Sequence, residues 1–161
     1  MRVFVAGATG AVGSRLTRLL VSSGHSVVGL TRTATKAEAI ERVGAEVSVA
    51  DALNRAALVA AVTGAKPDVI VHEMTAISAA NDLRRFDRSF AATNRLRSQG
   101  LDNLLAAAKQ AGTPRVIAQS FCGWPYARIG VRSNRKTILS TPTRRLRCGN
   151  PSQRSAISKM G

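Results

Sequence analysis

Acidic residues are scarce in this chain. Nine Asp and Glu stand against 24 Lys and Arg in 161 residues, a formal net charge of +15. Residues 129–161 hold eight of those bases and no acid. Cysteine is scarcer still, with two in the chain, which excludes a disulfide scaffold. Aromatic residues are 4% of the total, with one tyrosine and one tryptophan. No apolar run approaches the ~20 residues that a membrane-spanning helix requires. The N-terminal residues form a short apolar strand and a glycine turn where a signal peptide would carry its apolar stretch, so a cytoplasmic protein is expected. No pairing of His, Cys, Asp and Glu has metal-ligand spacing.

What remains is enough for a core. Apolar residues make up 45% of the chain, which argues for a folded domain. The composition divides it into a body, residues 1–128, and a basic tail, residues 129–161. The tail has few large apolar residues and no period, so it is expected to stay disordered, because it buries too little to offset the entropy of ordering. A tail of like charges is most simply a solvated segment, and a nucleic-acid-binding arm is the sharper alternative.

The body reads as alternating strands and helices. Strands are expected at 2–6, 25–30, 46–49, 68–72 and 115–119. Helices are expected at 11–23, where Leu16, Leu19 and Leu20 recur at helical spacing, and at 35–43 and 54–62. A long helical stretch is expected at 86–111, broken near Gly100. Gly24, Gly44, Gly64 and Gly112 are natural stops. This order with short crossovers demands a doubly wound parallel α/β sheet, Rossmann-like, with strand order 3-2-1-4-5.

The chemistry concentrates in the first turn. Gly7-Ala8-Thr9-Gly10-Ala11-Val12-Gly13 places three glycines between a first strand and a first helix. Gly7 permits the tight turn. Gly10 lets a diphosphate approach the backbone, and Gly13 lets the helix pack closely on the strand. Free N–H groups at the helix N-terminus then face the phosphates. An acid at the end of the second strand would hold a free ribose 2′-OH. The chain has Arg32 there instead, with Lys36 close behind. A guanidinium suits a 2′-phosphate, so NADP is expected in preference to NAD.

The motif and its setting resemble the extended or atypical short-chain dehydrogenase/reductase superfamily, in particular its NAD(P)-dependent epimerase/dehydratase branch, along residues 1–128. The resemblance implies an adenine contact at Asp51 and Ala52, and a nicotinamide-ribose contact at Thr75, with Ala76 beside it. It implies a helix asparagine at Asn94 and a packing run at Asn103-Leu104-Leu105-Ala106-Ala107. Ser120, after the fifth strand, stands at the position of the family's active-site serine or threonine. The family's Tyr-x-x-x-Lys pair is absent: four residues after Tyr126 stands Gly130. His72, Glu73, His25 and Cys122 have plainer readings, respectively as a packed histidine, a loop carboxylate, a solvated histidine and a small apolar filler.

Taken with the resemblance, these observations imply the NAD(P)-binding domain of an oxidoreductase acting on a sugar nucleotide or another small carbonyl or alcohol. The chain is expected to be incomplete and inactive by itself. Back-translated and read one base earlier, residues 131–141 can encode an acidic turn segment and residues 148–159 an amphipathic helix, so a change of reading frame near residue 129 is expected. Two rivals come from other classes. One is a non-catalytic NADP-sensing module. The other is a basic nucleic-acid-associated protein acting through its tail. Self-association through an uncovered sheet edge is also expected.

Overall fold

The structure is a computed structural model that describes residues 1–77 and 86–119, with the backbone alone at 86–89. Five strands form one parallel sheet: β1 (Arg2–Ala6), β2 (Ser26–Thr31), β3 (Glu46–Val49), β4 (Val69–His72) and β5 (Arg115–Ala118). Their order is β3-β2-β1-β4-β5, as the alternation of elements predicts. β1 is central, with Val5 opposite Gly29 of β2 on one side and Val71 of β4 on the other.

The strand pleat sorts the core into two layers, because successive side chains point to opposite faces. Phe4, Val28, Leu30 and Ile70 face one way and pack with Leu58, Val62, Leu104 and Ala107. Val3, Val5, Val27, Val69 and Val71 face the other way and pack with Ile40, Leu16 and Leu20. The first layer is closed by α3 (Arg55–Ala65) and α5 (Leu101–Ala111), the second by α1 (Ala11–Ser22) and α2 (Ala37–Glu41). Both faces of the sheet are therefore covered, which is why its central strands read as near-continuous apolar runs.

Several boundaries differ from the sequence reading. β2 begins at Ser26, because the His25 N–H is drawn back to the Leu20 carbonyl in the turn that closes α1. Leu19 lies outside the core at 63% exposure, while Leu16 and Leu20 pack inward. The expected helix 35–43 is a 3₁₀ turn (Ala34–Lys36) followed by the short α2. α3 runs through Gly64 and ends at Lys66, the one described non-glycine residue with positive φ, +46°. Gly24, Gly44 and Gly112 do end their helices, at φ of +79°, +80° and +70°. The break near Gly100 is a π turn, Leu96–Gly100, between α4 (Phe86–Arg95) and α5.

The outer strands are less covered than the inner ones. Ile117 of β5 is 51% exposed on the sheet edge. Arg2 ties the opposite end of the sheet together. Its guanidinium donates to the Glu46 carboxylate at 2.6 and 2.7 Å, to the Ala65 carbonyl at 2.6 Å and to the Ser26 hydroxyl at 2.8 Å. The hydrogen bond from Arg2 holds the Glu46 carboxyl below the usual carboxylate range.

Candidate functional site

The site is built on the turn between β1 and α1. Gly7 has φ +96°, and a Cβ there would lie 2.8 Å from the carbonyl carbon and oxygen of Glu73. The turn is thus pressed against the chain leaving β4. Gly10 is the N-cap of α1 in extended conformation, and no side chain caps the helix. Its own N–H donates to the Gly7 carbonyl at 2.9 Å, and its carbonyl accepts from Ser14. The amides of the first helical turn, at Ala11, Val12 and Gly13, have no acceptor within the helix and point outward with the positive end of the helix dipole.

Gly13 does a different job from the one expected of it. A Cβ there would lie 2.1 Å from the Gly7 carbonyl oxygen and 3.1 Å from Ala8 Cα, so the close approach is between helix and turn rather than helix and strand. Gly29 of β2 permits a similar approach between the sheet and the layer above it. A Cβ there would meet Ala8 Cβ at 2.8 Å and Ile40 at 2.9 Å. That glycine was not singled out in the sequence, although a glycine inside an apolar strand is the usual sign of a close approach.

A cleft of about 450 Å³ opens at the C-terminal ends of β1, β2 and β4. Of the residues the sequence singled out, it brings together Gly7, Thr9, Gly10, Ala11, Arg32, Ala52 and Thr75, with Lys36, Glu73 and Ala76 beside them. Leu30, Thr31, Thr33, Ala50, Met74 and Leu96 are the other described residues of the lining and were not anticipated. Ala8, Val12 and Gly13 belong to the turn but not to the lining. Ala8 is buried beneath the turn, and Val12 is exposed at the start of α1. Asp51 is also outside the lining. Its carboxylate accepts from the Leu53 N–H at 2.9 Å, which makes it a turn residue holding Ala52 in place. Asn94 is exposed on the helix surface, and its carbonyl accepts from the Ser98 hydroxyl.

The residue that does reach the cleft's rim from that helix is its neighbour, Thr93. It is buried, and its Oγ1 accepts from the Ala76 N–H at 2.9 Å. Two more buried side chains tie the rim to the helical layer. Asn103 Nδ2 donates to the Ala52 carbonyl at 2.9 Å, and His72 Nε2 lies 3.3 Å from the Leu96 carbonyl. Thr93, His72 and Asn103 thus brace the β4 loop, the π turn and the β3 loop in turn. His72 was read as a packed histidine, and it is one.

The cleft is electrically lopsided. Arg32 and Lys36 are exposed after β2. The ion pairs among the described residues are Arg2–Glu46 and Arg42–Glu38, so both cations face the cleft unpaired. Exposed guanidinium and ammonium groups beside first-turn amides form a site for oxyanions. The turn fits a dinucleotide diphosphate: Gly10 lines the cleft, and a Cβ there would meet only the Gly7 carbonyl oxygen, at 3.3 Å, leaving its cleft side free for a phosphate. Among the described residues no cluster of His, Cys, Asp and Glu could hold a metal ion. None of their helices is long and apolar enough to cross a membrane. Ser120, Cys122, Tyr126 and the tail lie outside the described residues.

Comparison with known proteins agrees with this geometry. The model of the NAD(P)H-binding family matches residues 7–138. A 3-diazoavenalumate denitrifying reductase of Streptomyces is 46% identical over 122 residues, which cover 74% of this chain and 38% of that protein. The crystal structure of the Bordetella bronchiseptica enzyme WbmG in complex with NAD and UDP aligns with a TM-score of 0.58 and 28% identity, over 73% of this chain and 36% of that one. A UDP-glucose-4-epimerase from Stenotrophomonas maltophila with bound NAD shares the fold at 24% identity and TM-score 0.59, over 76% and 40% of the two chains. The chain therefore spans well under half the length of these relatives.

Proposed function

The chain belongs to the NAD(P)H-binding family, and from that premise we propose that it binds NADP in preference to NAD, as the nucleotide-binding domain of a reductase- or epimerase-like oxidoreductase. The carrying observation is the cleft itself, with an uncapped helix N-terminus at one wall and two unpaired cations at another. In this reading the first-turn amides of α1 hold the diphosphate, and Gly10 lets it come close. Arg32, with Lys36, holds the 2′-phosphate in a charge-assisted pair. Ala50 and Ala52 offer an apolar wall to the adenine, and Thr75 and Ala76 border the nicotinamide-side ribose. Asp51 acts at one remove, by shaping the loop that presents Ala52.

The bound nicotinamide supplies hydride transfer. A reductase relative and an enzyme solved with NAD and UDP support a reducible or nucleotide-linked reaction partner, and the family resemblance of the sequence narrows our proposal to a small carbonyl, alcohol or sugar nucleotide. For this chain the reading is binding without turnover, because its one tyrosine, Tyr126, lacks the lysine four positions on that would lower its pKa. Ser120 is the residue we propose to meet a substrate. Titration of the protein with NADPH and with NADH, followed by nucleotide fluorescence, tests the proposal. Saturable binding with NADPH the tighter supports it, and no binding of either overturns it.

A further inference from the structure

Among the described residues the cleft holds one acid, Glu73, and one of its oxygens is not satisfied. Glu73 is the first residue past β4, and its N–H donates to the Ala6 carbonyl at 2.8 Å. Its backbone is the surface that Gly7 presses against. Glu73 lines the cleft, and one of its carboxylate oxygens, Oε2, is buried with no hydrogen-bond partner. No ion pair among the described residues reaches it. A buried acceptor without a donor is costly, so such a group in a binding cleft calls for a donor from the ligand.

Topology says which donor. β2 and β4 flank β1 on opposite sides. Arg32 follows β2 and Glu73 follows β4, so two strand spacings, about 10 Å, separate the two backbones across the glycine turn. The cleft is cationic on one side and anionic on the other. A phosphate is repelled on the Glu73 side and has no proton to give it. The groups of a dinucleotide that carry donors next to the diphosphate are the ribose hydroxyls. The sugar on the Arg32 side is the one whose 2′ position meets the cations, which leaves the other sugar for the acid. The carboxyl group turns about a broad terminal torsion, so either oxygen can be presented to the ligand.

We propose that Glu73 accepts a hydrogen bond from a hydroxyl of the nicotinamide-side ribose, and that it excludes ligands phosphorylated on that sugar. This rests on the dinucleotide reading above. The test compares NAD with two analogues, one lacking a hydroxyl on the nicotinamide-side ribose and one lacking a hydroxyl on the adenosine ribose. Each is titrated by calorimetry into the wild-type protein, Glu73→Ala and Glu73→Gln. A hydrogen bond to a carboxylate makes the first analogue about tenfold weaker than NAD on the wild type, while Glu73→Ala binds the two alike. Glu73→Gln keeps the size and an acceptor but loses the charge, so it should discriminate less than wild type, which carries the comparison if the alanine variant does not fold. Equal discrimination in wild type and variants overturns the proposal while leaving dinucleotide binding intact. Discrimination confined to the adenosine ribose overturns it as well. A wild type that binds no dinucleotide overturns both readings together.

Discussion

Replacing Gly13 with alanine separates the packing role of the glycine turn from its binding role. The added Cβ would lie 2.1 Å from the Gly7 carbonyl oxygen and 2.8 Å from its carbon. Both are backbone atoms, so no side-chain rotation relieves the contact, and helix and turn must move apart by about an ångström. Overpacking of this kind typically costs about 1–3 kcal/mol. The displaced oxygen also accepts the Gly10 N–H at 2.9 Å, and losing that bond adds about 1 kcal/mol. The expected loss is therefore about 2–4 kcal/mol. At ~4 °C per kcal/mol for a domain of this size, the midpoint should fall by about 8–16 °C.

Gly10→Ala is the control. Its Cβ would meet only the Gly7 oxygen, at 3.3 Å, which asks for a few tenths of an ångström. Glycine is a better N-cap than alanine, so a loss of about 0.5–1 kcal/mol is expected from that source. The same methyl group points into the approach of a diphosphate, so nucleotide affinity should drop by far more than stability does. Thermal unfolding by circular dichroism reads the first quantity, and nucleotide fluorescence reads the second. A Gly13→Ala protein that melts within 2 °C of wild type would refute the packing argument. A folded Gly10→Ala or Gly10→Val protein with unchanged NADPH affinity would refute the placement of the phosphates.

Arg32→Asp should shift preference from NADPH toward NADH by about tenfold or more, since a charge-assisted pair becomes a repulsion; an unmoved ratio of the two affinities marks Arg32 as a surface residue. Asn103→Leu strands the Ala52 carbonyl and should lower stability by about 1–3 kcal/mol in urea unfolding, with weaker nucleotide binding through the displaced β3 loop; full stability would mean the brace carries no load. The Glu46 carboxyl sits below its usual range in the folded state because Arg2 donates to it, so its contribution is present above the ordinary carboxylate range and is lost as pH falls through the lowered folded value. At 58% side-chain exposure for Glu46 the pair is worth about 0–1 kcal/mol, so Glu46→Gln should flatten the acid limb of the stability profile slightly, and an unchanged limb would count against the pair. Ile117→Lys puts a charge on the exposed β5 strand and tests the expectation that this edge self-associates: wild type should sediment as larger species than the variant at the same concentration, and equal sedimentation of the two would count against that expectation.

How much of this was legible in the sequence depends on how far apart the interacting residues lie. The glycine turn was legible because it is local. Gly7, Gly10 and Gly13 fall within seven residues, and strand, turn and helix follow one another without interruption. The sheet order was legible because short crossovers leave few alternatives. Helix ends were legible where glycine supplies the positive φ, at Gly24, Gly44 and Gly112. They were not legible at the end of α3, where Gly64 is inside the helix and Lys66 takes the left-handed conformation. No local rule chooses a lysine over a nearby glycine for that position.

The braces of the cleft were beyond sequence reading for the same reason. Ala76 and Thr93 are 17 residues apart, His72 and Leu96 are 24, and Ala52 and Asn103 are 51. Each pair meets only because β4 and the helices after it fold back over the same end of the sheet. The resemblance to a family pointed to Asn94, which is exposed, while the buried side chain that braces the β4 loop is its neighbour Thr93. A one-residue step on a helix turns a side chain by about 100°, enough to take it from the buried face to solvent. Glu73 illustrates the limit most sharply. As a letter after an apolar strand it reads as a loop carboxylate. Only once Gly7 is seen pressed against its backbone, with the cations on the far side of the turn, does its unpartnered oxygen become a statement about the ligand.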